Sequence, residues 1–224
     1  MPEHSSTAEI AKRLQEDKDT KKRGNLAVEI VEGLLLAVVA VTTAWSGYQS
    51  AVWDSKAVAS YGLSSKLRVT SQGAETTAGQ QMLYDSTTFD EWLVAAQAGN
   101  TSLSTFLERR FRPEYKIAFD AWIKTDPLHN ALAPPGPAFM PQYQNASAKH
   151  ALQLDQESTA AYDAGNHSRD VGDEYVRVTV LLAVVLFLTA LSPRFDIRNV
   201  RLGIIGVALV VLAYSLFSLA TVGG

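Results

Sequence analysis

The sequence predicts an all-α integral membrane protein with three transmembrane helices. Three apolar runs carry this prediction, at residues 33–53, 175–192 and 202–222. Each run has about the number of residues that a helix rising 1.5 Å per residue needs to cross roughly 30 Å of hydrocarbon. About 120 mostly polar residues separate the first run from the second, and apolar residues recur among them at helical intervals. We therefore expect a helical hairpin or bundle between spans 1 and 2.

The first element is a polar tail. Residues 1–24 are rich in charge and include six cations: Lys12, Arg13, Lys18, Lys21, Lys22 and Arg23. This composition predicts a disordered or loosely helical segment that ends at Gly24 and Asn25. Residues 25–53 then form transmembrane helix 1. Its apolar run is longer than the core of a signal peptide, so we expect the helix to be retained.

Residues 54–174 form the predicted helical domain, and its first part lacks proline up to residue 98. We expect a long helix continuous with span 1, loosened near Gly73 and Gly79. Gly99 and Asn100 indicate its end, and Thr101 or Ser102 the next N-cap. The apolar positions of this helix predict its buried side: Val58, Tyr61, Leu67, Met82, Leu83, Phe89, Trp92, Leu93 and Ala96.

Two short helices follow, one over residues 103–110 and one with Pro113 in its first turn. Residues 127–144 hold five of the eight prolines. They predict a non-helical crossing, packed against the helices through Phe139, Met140 and Tyr143. A return helix from residue 146 continues into span 2, residues 175–192, and ends before Pro193. Its predicted apolar side consists of Leu152, Leu154, Ala160, Ala161, Ala164 and Val171.

The distribution of cations predicts the orientation in the cell membrane. The six cations of the tail, and the three arginines of the short loop 193–201, place both segments in the cytoplasm. Residues 54–174, and the C-terminus after span 3 at residues 202–222, then lie outside. Ten cations and fifteen acids give the large domain a net charge of −5. This acidic balance, without a basic patch, argues against a nucleic-acid partner.

No motif indicates chemistry. The absence of cysteine excludes disulfides, thiol catalysis and cysteine metal sites. A glycine-rich phosphate loop, a Gly-x-Ser-x-Gly elbow and a His-Glu-x-x-His motif are also absent. His167 could share a helical face with Asp163 or Asp170, but such a pair rarely binds a metal without further ligands. We expect a protein that is not an enzyme and has no cofactor.

Small and hydroxyl residues occupy neighbouring rows of span 1. The rows include Thr42, Thr43, Ser46, Gly47 and Ser50, and Gln49 lies near the outer end. The favoured interpretation is close packing against the other two spans. The alternative is a polar seam that lines an oligomeric pore.

Two clusters mark the predicted membrane edges. An interfacial ion-pair cluster is expected at the cytoplasmic edge, where Glu29 and Glu32 face Arg194, Arg198 and Arg201. A proton or cation entry site is the alternative there. An aromatic belt is expected at the outer interface, from Trp45, Tyr48, Trp53 and Tyr175.

The layout, together with the run Ala-Trp-Ser-Gly-Tyr-Gln-Ser at residues 44–50, resembles a group of bacterial three-span membrane proteins to which no activity is assigned. The order span, antiparallel helices, span also resembles the four-helix-bundle sensor domains of bacterial chemoreceptors. A chemoreceptor continues into a cytoplasmic signalling region, whereas a nine-residue loop and a third span follow here.

These observations predict a non-enzymatic accessory, scaffold or sensing subunit. Its partners would be the lipid bilayer and either another membrane protein or a second copy of itself. The aromatic residues far from the spans are either the binding surface or the core of the domain: Phe106, Phe111, Tyr115, Phe119, Trp122, Phe139 and Tyr143. A homo-oligomeric channel or transport component lined by span 1 is the alternative function.

Overall fold

The computed structural model describes the backbone of residues 4–195 and 197–222, and the side chains of residues 12, 26, 28–195, 197 and 199–222. Over these residues the protein is all-α. Its helices are α1 (His4–Gln97), α2 (Thr101–Glu108), α3 (Pro113–Ile123), α4 (Ala146–Leu191) and α5 (Arg198–Thr221). Two short 3-10 helices, Pro137–Phe139 and Ser192–Arg194, accompany them.

Three of these helices contain a stretch that is long and apolar enough to cross a membrane. The stretches lie in Val28–Gln97, Ala146–Arg194 and Asn199–Thr221. The chain is therefore a multi-pass membrane protein.

Helix α1 has 94 residues and continues through the positions where a break was expected. Residues 4–24 are helical, the second of the two forms expected for the tail, and the same helix continues past Gly24 and Asn25. Ala, Glu, Lys, Arg, Gln and Leu make up twelve of residues 4–23, and these residue types favour helix. A single glycine costs only about 1 kcal/mol in such a setting. Gly73 and Gly79 likewise lie inside the continuous helix.

The chain divides into two compact units. The first unit comprises residues 1–58 and 165–224, and the second comprises residues 59–164. In the first unit, side chains of α1, α4 and α5 form one apolar core, whose members are Leu35, Val39, Val178, Leu182, Val185, Ile205, Ala208 and Leu212.

Within the first unit, α1 and α4 lie antiparallel and close together. The Ser46 hydroxyl donates to the carbonyl of Tyr175 over 2.8 Å, and the Ser192 hydroxyl donates to Glu32 over 2.8 Å. At Gly172 an added Cβ would lie 3.2 Å from the Asp54 carboxylate. The absence of a side chain at this position allows the two helices to approach closely.

Within the second unit, α1 and α4 meet through small and hydroxyl residues. Ser64 and Ser158 hydroxyls lie 3.2 Å apart, and Ser158 donates to the Ser64 carbonyl. Further along, the Ser71 hydroxyl donates to the Ala151 carbonyl over 2.8 Å. From Ser64 to Ser71 along α1, the partner on α4 moves back from Ser158 to Ala151, so the two helices are antiparallel.

The predicted buried sides of α1 and α4 are partly wrong. Val58, Met82, Leu83 and Leu152 are exposed. The buried positions Ser64, Ser71, Ala78 and Asp85 of α1 recur every seven residues, and half-buried Leu67, Ala74 and Gln81 between them complete a spacing of three and four. Such a 3-4 spacing is that of a two-helix coiled-coil seam, here built from small and polar side chains. These residue types were not expected in a core.

Residues 98–145 join α1 to α4, and we call them the connector. Its aromatic residues pack on the end of α1 in one core, made of Phe89, Trp92, Ala95, Leu107, Phe111, Tyr115, Phe119 and Trp122. The Trp122 indole donates to the carbonyl of Pro134 over 2.7 Å, which holds the proline-rich crossing against α3. Met140 and Tyr143 pack on this core as expected, but Phe139 is exposed.

The turn from α1 to α2 uses Gly99 and Asn100 in two different ways. Gly99 adopts a φ of 69°, and its N–H and that of Asn100 donate to the carbonyls of Ala96 and Ala95. This is a Schellman ending of α1. The N-cap of α2 is Asn100, whose side chain accepts from the Leu103 N–H over 3.1 Å. The prediction of Thr101 or Ser102 as N-cap is wrong, because Asn100 both ends the turn and caps the next helix.

Candidate functional site

The polar residues of span 1 make their contacts within the chain. Ser46 and Ser50 are buried, and Ser46 donates to the α4 backbone. The hydroxyls of Thr42 and Thr43 donate to the carbonyls of Val38 and Val39, one turn earlier in the same helix.

Gly47 and Gln49 differ from the two buried serines. Gly47 is exposed and has no atom of another part of the chain within 4 Å of an added Cβ. Gln49 is half-buried.

Glu32 and Arg201 form a bidentate ion pair between the start of span 1 and α5. The Arg201 guanidinium donates to the two carboxylate oxygens over 3.0 and 2.6 Å, and Glu32 is buried. Glu29 and Arg194 are exposed and form no ion pair with any side chain in the described part of the chain. The side chain of Arg198 lies outside the described residues. The structure therefore brings together two of the five residues grouped from the sequence.

The four aromatic residues assigned to the outer belt differ in exposure. Trp45 and Tyr48 are exposed, with ring centroids 6.2 Å apart. Trp53 packs edge-on against His167, and the Lys56 ammonium lies 3.8 Å from the centre of its ring. Tyr175 is buried against α1. Trp45 and Tyr48 thus present their rings to the surroundings of the unit, whereas Tyr175 contributes to the packing of the helices.

The second unit contains a buried ionic cluster that sequence analysis missed. The Asp85 side chain is 2% exposed and accepts from Arg112 Nε and Nη2 over 3.0 and 2.8 Å. The Tyr143 hydroxyl donates to the same carboxylate over 3.2 Å, and Arg112 also pairs with Glu114. We call Asp85, Arg112, Glu114 and Tyr143 the Asp85 cluster. It ties α1 to the junction between α2 and α3 and to the residues just before α4.

The Asp85 cluster shifts the pKa of its neighbours. The hydrogen bond to Asp85 raises the pKa of Arg112 above its usual value. Burial, followed by the negative charge of Asp85, raises the pKa of both Tyr115 and Tyr143. These directions favour a cationic Arg112 and two neutral phenols beside the Asp85 carboxylate. Among the described residues no group of three or more His, Asp and Glu could hold a metal ion.

A cleft of about 520 Å³ lies between the last turns of α1 and helix α2. We call it the α1–α2 cleft. Its apolar lining consists of Val94, Ala95, Ala98, Leu103 and Leu107, and its polar lining of Asp90, Glu91 and Asn100. Val94 and Leu103 are exposed, whereas Leu107 is buried beneath them. The cleft is therefore an open, largely apolar depression with acids in its wall.

A second depression of about 600 Å³, which we call the α1–α4 groove, runs along α1 and α4 in the same unit. Its floor includes Ala78, Gly79 and Ala151, with Met82 and Leu152 beside them. Arg68 and Asp155 also line it, paired with each other over 3.0 Å.

The connector displays several large apolar side chains to the outside of its unit. Leu132 is 94% exposed and Phe139 is 70% exposed. The exposed set in the connector comprises Leu103, Phe106, Ile117, Ile123, Leu128, Leu132 and Phe139. Scattered apolar residues are normal on a protein surface, but the two most exposed members of the set, Leu132 and Phe139, both belong to the proline-rich crossing. Of the seven aromatic residues predicted as either core or surface, Phe106 and Phe139 are exposed.

No protein-family model, characterised protein or solved structure matches this chain.

Proposed function

We propose that this protein is a non-enzymatic subunit of the cell membrane that docks another protein, or a second copy of itself, through its connector. Residues 1–24 and 193–201 lie in the cytoplasm, and residues 54–174 lie outside as a helical domain between spans 1 and 2. The cation-rich tail and loop support this orientation, because cations near the ends of spans are retained on the cytoplasmic side.

The observation that carries the proposal is the exposure of large apolar side chains in the connector. Outside the membrane these side chains face water, and burying a Leu or Phe side chain contributes about 1.5–3 kcal/mol. Leu132 and Phe139, at 94% and 70% exposed, have most of that burial still to gain. Contact with a partner surface would bury these side chains.

The Asp85 cluster supports a docking role because it fixes the shape of the surface. Arg112 lies just before α3, and Tyr143 lies just before α4, yet both contact one carboxylate of α1. A surface that is already ordered loses less conformational entropy on binding. The connector is therefore built to present its apolar residues in one arrangement.

Site-specific photo-crosslinking in the intact membrane tests the proposal. A photoreactive amino acid replaces Leu132 or Phe139 in the full chain, and matched controls carry it at Thr159 or Glu157, which are exposed on α4 in the same unit. We expect a discrete crosslinked product from the connector positions and none from the control positions. Its mass, measured after mild extraction, identifies either a second copy or another protein.

Equal crosslinking from all four positions, or none from the connector positions, would contradict the proposal. Conductance of the purified chain in a planar bilayer would favour the channel lined by span 1 instead.

A further inference from the structure

We propose that the α1–α2 cleft binds a small organic cation with an apolar body, such as an arylalkylammonium ion. The inference goes beyond protein docking, since it assigns a small-molecule ligand to the cleft. It rests on the proposed function only in that the outward-facing domain is open to solutes.

The size and lining of the cleft fit a small molecule. Ligand sites are typically depressions of about 300–1,000 Å³, mostly apolar with a few polar groups, and the cleft has about 520 Å³. Val94 and Leu103 stand on its two sides and Leu107 forms its floor. An apolar body placed there would cover all three side chains, and each is large enough to contribute to binding.

The charges of the cleft select the sign of the ligand. Asp90 and Glu91 both line it, and neither pairs with any cationic side chain that the structure describes. No Lys, Arg or His of the described residues lines the cleft. Two uncompensated carboxylates beside an apolar floor attract a cation and repel an anion.

One longer-range feature acts in the same direction. Residues 54–174 carry a net charge of −5, which raises the local concentration of cations.

The chemistry of the lining favours an organic cation over a metal ion. Calcium takes six to eight oxygen ligands, and magnesium requires a nearly ideal octahedron. Only Asp90, Glu91 and Asn100 of the lining residues carry side-chain oxygens. The Asn100 oxygen already accepts from the Leu103 N–H. Two carboxylates beside apolar walls suit an ammonium group with a hydrocarbon body.

The α1–α4 groove is a weaker candidate for the same ligand. Its lining includes Glu75 and Asp155 but also Arg68, which pairs with Asp155 over 3.0 Å. A cation entering there would meet a positive charge as well as negative ones.

Calorimetric titration of the purified full chain in detergent tests the inference, with phenethylammonium chloride as the probe. Phenethyl alcohol and phenylacetate serve as the neutral and anionic analogues. We expect the ammonium ion to bind about two- to fivefold more tightly than the alcohol, as an exposed ion pair allows. Phenylacetate should not bind, and raised salt should reduce the preference for the cation.

The double variant Asp90→Asn with Glu91→Gln should lose the preference for the ammonium ion over the alcohol. The variant Glu157→Gln removes an exposed acid elsewhere in the same unit and should retain the preference for the ammonium ion. Val94→Ser should weaken the binding of both the ammonium ion and the alcohol.

Three results would overturn the inference: no binding of the ammonium ion, equal binding of the ammonium ion and the alcohol, or an unchanged preference in the double variant. None of these results bears on crosslinking from Leu132 and Phe139, so the failure of this inference is distinguishable from a failure of the docking proposal.

Discussion

Asp85 accepts hydrogen bonds from two side chains that lie far from it in the sequence, and almost no solvent reaches it. The Arg112 guanidinium meets it in a bidentate geometry, which is the strongest arrangement for such a pair. Removing one partner of a buried ion pair leaves the other charge uncompensated. The loss is therefore larger than the net stabilisation that the intact pair provides.

We expect Asp85→Asn to lower the free energy of unfolding of the second unit by about 3 kcal/mol. Asp155→Asn is the matched control, because its pair with Arg68 has both side chains 49% exposed. Asp155→Asn should lower the free energy of unfolding by less than about 1 kcal/mol. Urea unfolding of the purified chain, followed by tryptophan fluorescence, measures both. Similar losses in the two variants would show that the Asp85 cluster does not hold the connector.

Alkaline pH should destabilise the same region. In the folded chain, burial and the charge of Asp85 raise the pKa of Tyr115 and Tyr143 above their ordinary value of 10.0. Above pH 10 the unfolded chain releases phenolic protons that the folded chain still holds. The stabilisation is thus fully present below pH 10, and it is lost as the pH rises through the folded pKa values.

Urea midpoints measured from neutral to alkaline pH test this expectation. The midpoint of the native chain should fall above about pH 10, and that of the double variant Tyr115→Phe with Tyr143→Phe should fall less. Parallel curves for the two proteins would contradict the assignment of the effect to these phenols.

The Asp85 cluster was not predicted because its residues look ordinary in the sequence. Asp85 follows Tyr84 in a polar stretch, and Arg112 belongs to a mixed-sign run, residues 108–116, that is typical of a solvated turn. That interpretation fits Lys116, which pairs with Glu108 and Asp120 at the surface. Arg112 instead turns inward, and only the folded chain brings it to Asp85. Pairing at 27 residues' separation has no local periodicity to indicate it.

At the scale of elements, the helix ends that depend on one residue type were predictable. Pro113 begins α3, as its fixed φ and missing N–H favour. Gly99 ends α1 in the left-handed region. The seam between α1 and α4 was not predictable from hydropathy, because Ser64, Ser71 and Ser158 satisfy their hydroxyls across it. Polar residues can be buried when they have hydrogen-bond partners. The sequence pattern does not show which residues will be those partners.

Alanine substitutions at two glycines, one inside α1 and one at its end, should have opposite effects. Gly99→Ala places a Cβ at a φ of 69° and should destabilise the protein by about 1 kcal/mol. Gly73→Ala lies inside α1 with nothing within 4 Å of the new Cβ. It should stabilise the helix by about 0.5–1 kcal/mol. Thermal unfolding of the two variants measures the difference, and a stabilising Gly99→Ala would exclude the left-handed ending of α1.

At the scale of the whole molecule, composition alone predicts three membrane-spanning helices, because crossing hydrocarbon requires long uncharged stretches. The division of α1 and α4 between two compact units was not predictable in the same way. The units divide between residues 58 and 59 on α1 and between residues 164 and 165 on α4. No change of composition marks these positions.

The absence of native cysteine makes the proposed orientation directly measurable. We expect Thr159→Cys to react with a membrane-impermeant maleimide on intact cells, because residues 54–174 lie outside in the proposal. Lys12→Cys should react only after permeabilisation, because the cation-rich tail lies inside. Both residues are exposed. The opposite pattern would reverse the orientation, and with it the compartment of the connector.

The burial of Asn145 has a consequence for glycosylation of the protein during its synthesis. Asn145 begins Asn-Ala-Ser, an acceptor sequence for N-linked glycosylation, as Asn100 begins Asn-Thr-Ser. The Asn145 amide nitrogen donates to the Ala78 carbonyl, its oxygen accepts from the Ala148 N–H, and the residue is buried. A sugar on that nitrogen would occupy the space of α1. In a glycosylating host, Asn100 therefore stays open to the transferase after folding, whereas Asn145 is protected once α4 has docked.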